Sequence, residues 1–153
     1  IATIGRIIFF ICGSVSGVLF PSISLANDPA CNQRLLMKAL VIIFLIGGAS
    51  WLSFLIMPGL FINLLIGSRY ASHASLLPRL GLLSFLAAVV QILFMYYLAL
   101  RRKFILLAAG IGVLIGLLLS SYSHANLEAV VNNFIFASLT AIVVVILAPR
   151  LLK

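Results

Sequence analysis

Between Leu80 and Leu100 the chain runs through twenty-one residues without one charged side chain. A predominantly apolar run of about 20 residues is the length an α-helix needs to cross the hydrocarbon core of a bilayer. Runs of similar length recur at Ile1–Phe20, Leu35–Met57, Phe104–Tyr122 and Leu127–Ala148, separated by short polar joints. Hydrophobic residues make up 65% of the 153 and charged residues 8%, so a water-soluble fold has too little polar surface to cover itself. The runs are apolar on every face, whereas strands of a membrane barrel alternate apolar and polar residues. With no water in the bilayer, each run satisfies its backbone only by coiling into a helix. The fold class expected is therefore all-α: a polytopic membrane helix bundle of about five transmembrane helices, in one membrane domain without internal repeats.

One stretch breaks the pattern. Pro58-Gly59 ends the second run, and Leu60 to Ile66 is apolar but too short to cross. The next full-length run begins only past Pro78-Arg79. The spacing predicts a short interfacial helix that turns the chain along the membrane surface. Elsewhere the joints are tighter: Pro21 to Arg34 with Asn27-Asp28-Pro29 as its turn, Arg101-Arg102-Lys103, and Ser120 to Asn126. Pro21 is expected to end the first helix at Phe20, Lys38 falls in the first turn of the second, and Pro149-Arg150 is expected to stop the fifth at Ala148. Small residues recur inside the runs, at Gly13-x-x-x-Gly17, Gly47-Gly48-Ala49-Ser50 and Ala108-x-x-x-Gly112-x-x-x-Gly116. Such pairs let neighbouring helices approach closely and read as packing seams.

The net charge of +8 does not mark a nucleic-acid binder, because the ten Lys and Arg cluster at the ends of apolar runs. Five crossings put Arg34, Lys38, Arg101, Arg102, Lys103, Arg150 and Lys153 on one side and Arg6, Arg69 and Arg79 on the other. Seven basic residues against three place the first set in the cytoplasm. The C-terminus is then cytoplasmic, and the Pro58–Arg79 turn, His73, His124 and Glu128 are external. Arg6 lies 14 residues before Phe20, about 21 Å along a helix, so it sits within or close to the hydrocarbon region. It either snorkels to the interface or faces a water-filled cavity.

Catalytic chemistry finds little to work with. The only acids, Asp28 and Glu128, fall on opposite sides, which excludes a paired-carboxylate mechanism. His73, His124 and Glu128 lack metal-ligand spacing, no G-x-S-x-G elbow stands out, and no Walker lysine follows a glycine-rich loop. Serine and threonine within the runs are expected to hydrogen-bond back to their own helices. Cys12, in an apolar run, and Cys31, in a joint, read as unpaired thiols. The chain reads as neither an enzyme nor a cofactor or metal binder. It opens on Ile1 within an apolar run, without a signal-peptide pattern, and is read as a fragment whose N-terminal part is missing.

Three short motifs, in order, carry a resemblance. Val18-Leu19-Phe20-Pro21-Ser22-Ile23-Ser24 resembles the "LFP-x-[IL]-S" helix end of polysaccharide and lipid-linked oligosaccharide flippases. The turn from Pro58 through Gly67 and Tyr70 to Leu77-Pro78 is similar to that family's turn, and Tyr97-Leu98-Ala99-Leu100-Arg101-Arg102 to its "Y-L-A-L-G-R", without the glycine. The likeness extends over essentially the whole chain. It implies the last five helices of a C-terminal six-helix lobe, whose partner would be the missing N-terminal lobe. It further implies a multi-pass protein of the bacterial inner membrane, surrounded by membrane lipids. That protein would move an undecaprenyl-pyrophosphate-linked oligosaccharide repeat unit for O-antigen or capsule synthesis by alternating access. Arg6 matches a position where such flippases often carry Arg or Lys, and its guanidinium suits a fork of hydrogen bonds to phosphate oxygens. The alternatives are a multidrug or toxin extruder of the same superfamily, and a non-transporting membrane anchor subunit.

Overall fold

The computed structural model describes residues 2–25, 29–65, 76–100 and 127–151, together with Gly110, Gly112, Leu114 and Leu118. All described segments are helical: α1 (Ala2–Leu25), α2 (Pro29–Ile56), α3 (Pro58–Leu65), α4 (Leu76–Ala99) and α5 (Leu127–Leu151). Four of them, α1, α2, α4 and α5, are long and apolar enough to cross a membrane. The chain is thus a multi-pass helical membrane protein. Most of the expected span Phe104–Tyr122 lies outside the described residues, although Gly110, Gly112, Leu114 and Leu118 within it are helical.

Four helix ends differ from those expected, each at or beside a proline; one is the start of α4, at Leu76 instead of Leu80, with Pro78 in its first turn. α1 continues through Pro21 to Leu25. The ring removes one backbone donor and crowds the carbonyl four residues back, at Gly17. Gly17 has nothing within 4 Å of where a side chain would start, so that carbonyl has room to tilt outward. One turn on, the Ser22 hydroxyl donates to the Val18 carbonyl at 2.9 Å. α2 begins at Pro29 instead of Leu35, since proline is well placed where an N–H has no helical acceptor anyway. Lys38 consequently lies in the third turn of α2, not in its first. α5 passes Pro149 and ends at Leu151. Only Pro58 acts as a break: the Met57 N–H still donates to Ser53, and the Met57 carbonyl then accepts from Phe61 at 3.4 Å to open α3.

α4 is the centre of the bundle and packs on α1, α2 and α5. Ile8 of α1 meets Gly81 of α4, and Gly13 lies beside Gln91, so these two helices run parallel. α2 runs antiparallel to α4, with Gly47 against Phe85 and Phe54 against Gly81. Its upper end is fixed by the Trp51 indole N–H, which donates to the Pro78 carbonyl at 3.1 Å. The short α3 folds back onto this end. Ile62 is fully buried, and Phe61 packs edge-on against Phe54 with ring centroids 4.9 Å apart. α5 lies along the other side of α4 and parallel to it, tied at the start by Arg79 Nη1 donating to Glu128 Oε2 at 2.6 Å. Parallel order is what a crossing between α4 and α5 requires. Gly112 lies against Ala141 of α5, so at that position the expected small-residue seam does pack.

The outer surface is apolar. Phe10, Val18, Phe44, Leu45, Ile56 and Phe136 are all exposed, as lipid-facing side chains are. Ser14, Ser22, Ser50, Ser53, Ser138 and Thr140 each donate to a carbonyl three or four residues earlier in their own helix, as expected.

Candidate functional site

α1 presents two opposite faces. Ile8, Cys12, Ser16 and Ile23 recur at helical spacing and are buried in the bundle. Arg6, Phe10, Ser14, Gly17 and Pro21 succeed one another at intervals of four and three, and each is exposed. What fixes this rotation is the fit around Cys12. A side chain built on Gly47 would reach 2.7 Å from the Phe85 ring and 3.3 Å from the Cys12 sulfur, so thiol, ring and bare backbone form one close junction. Gly13 borders the amide of Gln91 at 3.9 Å, while Gly17 and Gly48 have nothing within 4 Å. Of the small residues read as seams, Gly13, Gly47 and Gly112 meet a described neighbour; Gly17 and Gly48 do not.

Arg6 is exposed on α1 and has no ion-pair partner among the described residues. Its neighbours Ile7 and Ile8 line a recess of about 220 Å³ against Ser50, Ser53, Phe54 and Phe61, at the end of the bundle that α3 covers. The stripe leads from Arg6 past Ser14 to a second, larger groove between α1 and α2. That groove has a volume of about 410 Å³, with Val15, Val18 and Ser22 on one wall and Leu35, Lys38 and Ala39 on the other. One helix therefore carries an exposed cation near its start and borders a second cation, Lys38 of α2, near its end. From Arg6 to Ser22 is about 24 Å along the axis.

Two polar side chains within the spans stand out because nothing in the sequence reading singled them out. Ser16 is 2% exposed, and its hydroxyl has no partner among the described residues; Gln91 Oε1 is likewise buried and unpartnered among them. Gln91 interrupts the uncharged run Leu80–Leu100 with the one amide it contains. It lies at the α1–α4 contact beside Gly13, about two turns along α1 from Arg6.

The remaining sequence candidates separate. Glu128 is engaged by Arg79 at the start of α4 and α5, and both side chains remain about half exposed. His73, His124 and Asp28 lie outside the described residues. Among the described residues no cluster of His, Cys, Asp or Glu could hold a metal. Cys12 is buried, Cys31 exposed, and neither is paired. Asn63, the polar residue of the short helix α3, is exposed.

No protein-family model matches the chain, and no curated protein or solved structure matches it significantly.

Proposed function

We propose that the chain forms part of a flippase that carries a lipid-linked oligosaccharide across the bacterial inner membrane by alternating access of two lobes. It would supply helices of the C-terminal lobe, without a catalytic step of its own. The observation that carries this reading is the order of three flippase-like motifs along the sequence. The first lies at the end of α1, around Pro21; the second starts α3 at Pro58 and reaches the first turn of α4 at Pro78; the third lies at the end of α4, from Tyr97. The exposed stripe of α1 supports it. An exposed cation with no ion-pair partner among the described residues, on the same face of α1 as Ser14 and Gly17, suits a surface that receives the phosphates of an anionic substrate. In the orientation set by the basic residues, the C-terminus is cytoplasmic and the Pro58–Arg79 turn external.

An extruder of organic cations fits less well. Such a site needs an acid within the spans, and among the described residues the one carboxylate, Glu128, is tied to Arg79 at a helix end.

The test replaces Arg6 in the full-length protein. Arg6→Ala is expected to abolish surface glycan export, and Arg6→Lys to restore most of it. Unchanged export in Arg6→Ala, with normal protein levels in the membrane, would reduce Arg6 to an interfacial anchor and remove the cavity from the proposal. Labelling a Ser72→Cys variant from outside intact cells tests the orientation; labelling only after permeabilisation reverses it.

A further inference from the structure

On α2, Arg34, Lys38 and Ile42 follow one another at four-residue intervals and make one ridge. An apolar surface lies on each side of it. The first is a trough, the α1–α2 groove of about 410 Å³, walled by Val15, Val18, Leu35 and Ala39. The second is an open apolar face of α2 alone, formed by Met37 and Val41 beside the ridge. Lys38 and Ile42 border both. An apolar trough and an apolar helix face therefore flank one ridge that bears two cations.

Depth decides what such a ridge can hold. The 28 residues of α2 span about 42 Å, against a hydrocarbon core of about 30 Å. Centred, the helix projects about 6 Å at each end. Arg34, five residues from Pro29, then lies near the hydrocarbon boundary, about 7.5 Å from the helix start. Lys38 lies one turn deeper. Helical side chains lean toward the N-terminus, so its stem carries the ammonium back toward the same boundary. Both groups are exposed, and neither has an ion-pair partner among the described residues.

We infer that this ridge is a binding site for an anionic diacyl phospholipid, its phosphate against Arg34 and Lys38, one acyl chain in the α1–α2 trough and the other along the Met37–Val41 face. The charge selects an anion, and apolar surface on both sides of the cations suits one with two chains attached. A free phosphate would leave both surfaces uncovered, and a zwitterionic headgroup would bring a third cation to a site that already has two. This inference rests on the membrane-spanning fold alone and is independent of the proposed transport cycle. Lys38 and Arg34 then act as a lipid clamp and not merely as topology signals.

The experiment is native mass spectrometry of the full-length protein from a neutral detergent, loaded with equimolar phosphatidylglycerol and phosphatidylcholine. Wild type is expected to retain phosphatidylglycerol with a preference of about tenfold or more. The Arg34→Gln/Lys38→Gln double variant is expected to lose the preference, and Arg34→Lys/Lys38→Arg to keep it. Val18→Trp places a bulky ring on an exposed position at the mouth of the α1–α2 trough, and is expected to weaken retention while both cations remain. Equal retention of the two lipids by wild type overturns the site. So does full retention in Val18→Trp, which would mean adsorption by charge alone. Displacement of the lipid by millimolar inorganic phosphate would reassign the ridge to free anions. Preferential displacement by a polyprenyl pyrophosphate would reassign it to a transported lipid.

Discussion

The contact of Gly47 with Phe85 and Cys12 gives a prediction whose sign and size follow from geometry. A methyl group on Gly47 would sit 2.7 Å from Cδ2 and 3.2 Å from Cε2 of Phe85, and 3.3 Å from the Cys12 sulfur. No carbon atoms pack that closely, so the ring has to move. The ring also meets Phe44, three residues before Gly47 on α2, edge-on with centroids 5.3 Å apart. Forcing an extra carbon into a filled junction costs about 1–3 kcal/mol. Gly48 is its built-in control: nothing lies within 4 Å of its side-chain position. There Gly→Ala meets no clash and gains at most about 1 kcal/mol of helix propensity. The propensity gain is common to both sites, so the two neighbouring, chemically identical substitutions should differ by the clash alone, about 1–3 kcal/mol. The assay is reversible unfolding of each variant in mixed micelles on raising the fraction of denaturing detergent. Gly47→Ala should shift the midpoint down, and Gly48→Ala should leave it or raise it. Phe85→Leu makes room, so the Gly47→Ala/Phe85→Leu double variant should lose less than the sum, with a coupling of about 0.5–3 kcal/mol. Equal midpoints for the two alanine variants, or additive losses in the double variant, would refute the junction and with it the rotation assigned to α1.

Other contacts make smaller predictions in the same assay. Trp51→Phe removes the donor to the Pro78 carbonyl together with part of the indole's packing, and should cost at least the roughly 0.6 kcal/mol of the bond alone; an unchanged midpoint would mean that this bond does not fasten α2 to α4. Glu128→Gln breaks the ion pair with Arg79, which is about half exposed at both ends. It should cost at most about 1 kcal/mol at low salt, and the loss should vanish near 1 M salt, where charges are screened within about 3 Å; a larger loss that persists at high salt would contradict the exposure. Native protein should react with one equivalent of a maleimide, at Cys31, and with two after unfolding, because Cys12 is 1% exposed; two fast thiols in the native state would sink the placement of Cys12.

The spans at α1, α2, α4 and α5 were legible because run length alone sets them, and the short helix α3 because Pro58 truly breaks the backbone ladder. The serines were legible too: with no water to bond, each turns to a carbonyl of its own helix. Helix ends at Pro21 and Pro149 were misjudged for a physical reason. Proline stops helices reliably in water, where a broken helix solvates its freed carbonyls. In lipid that outlet is missing, so bending is cheaper than stopping. Nor could sequence choose between Gly47 and Gly48, or between Gly13 and Gly17. Each member of a pair has the same intrinsic properties, and the choice belongs to Phe85 and Gln91, distant in sequence.

The same limit applies to the residue with most functional interest. In a soluble helix the apolar face announces itself, but α1 is apolar nearly all round, so no periodicity says which side Arg6 takes. Its direction is decided at Cys12, six residues away, where the sulfur fits against a glycine that has no side chain to block it. Six residues at about 100° each turn Arg6 roughly 120° from Cys12, out of the core and onto the exposed stripe with Ser14 and Gly17. The direction of Arg6 is thus set by residues that do not touch it. Enlarging Gly47 should rotate or loosen α1, and so impair any function of Arg6 without altering Arg6 itself.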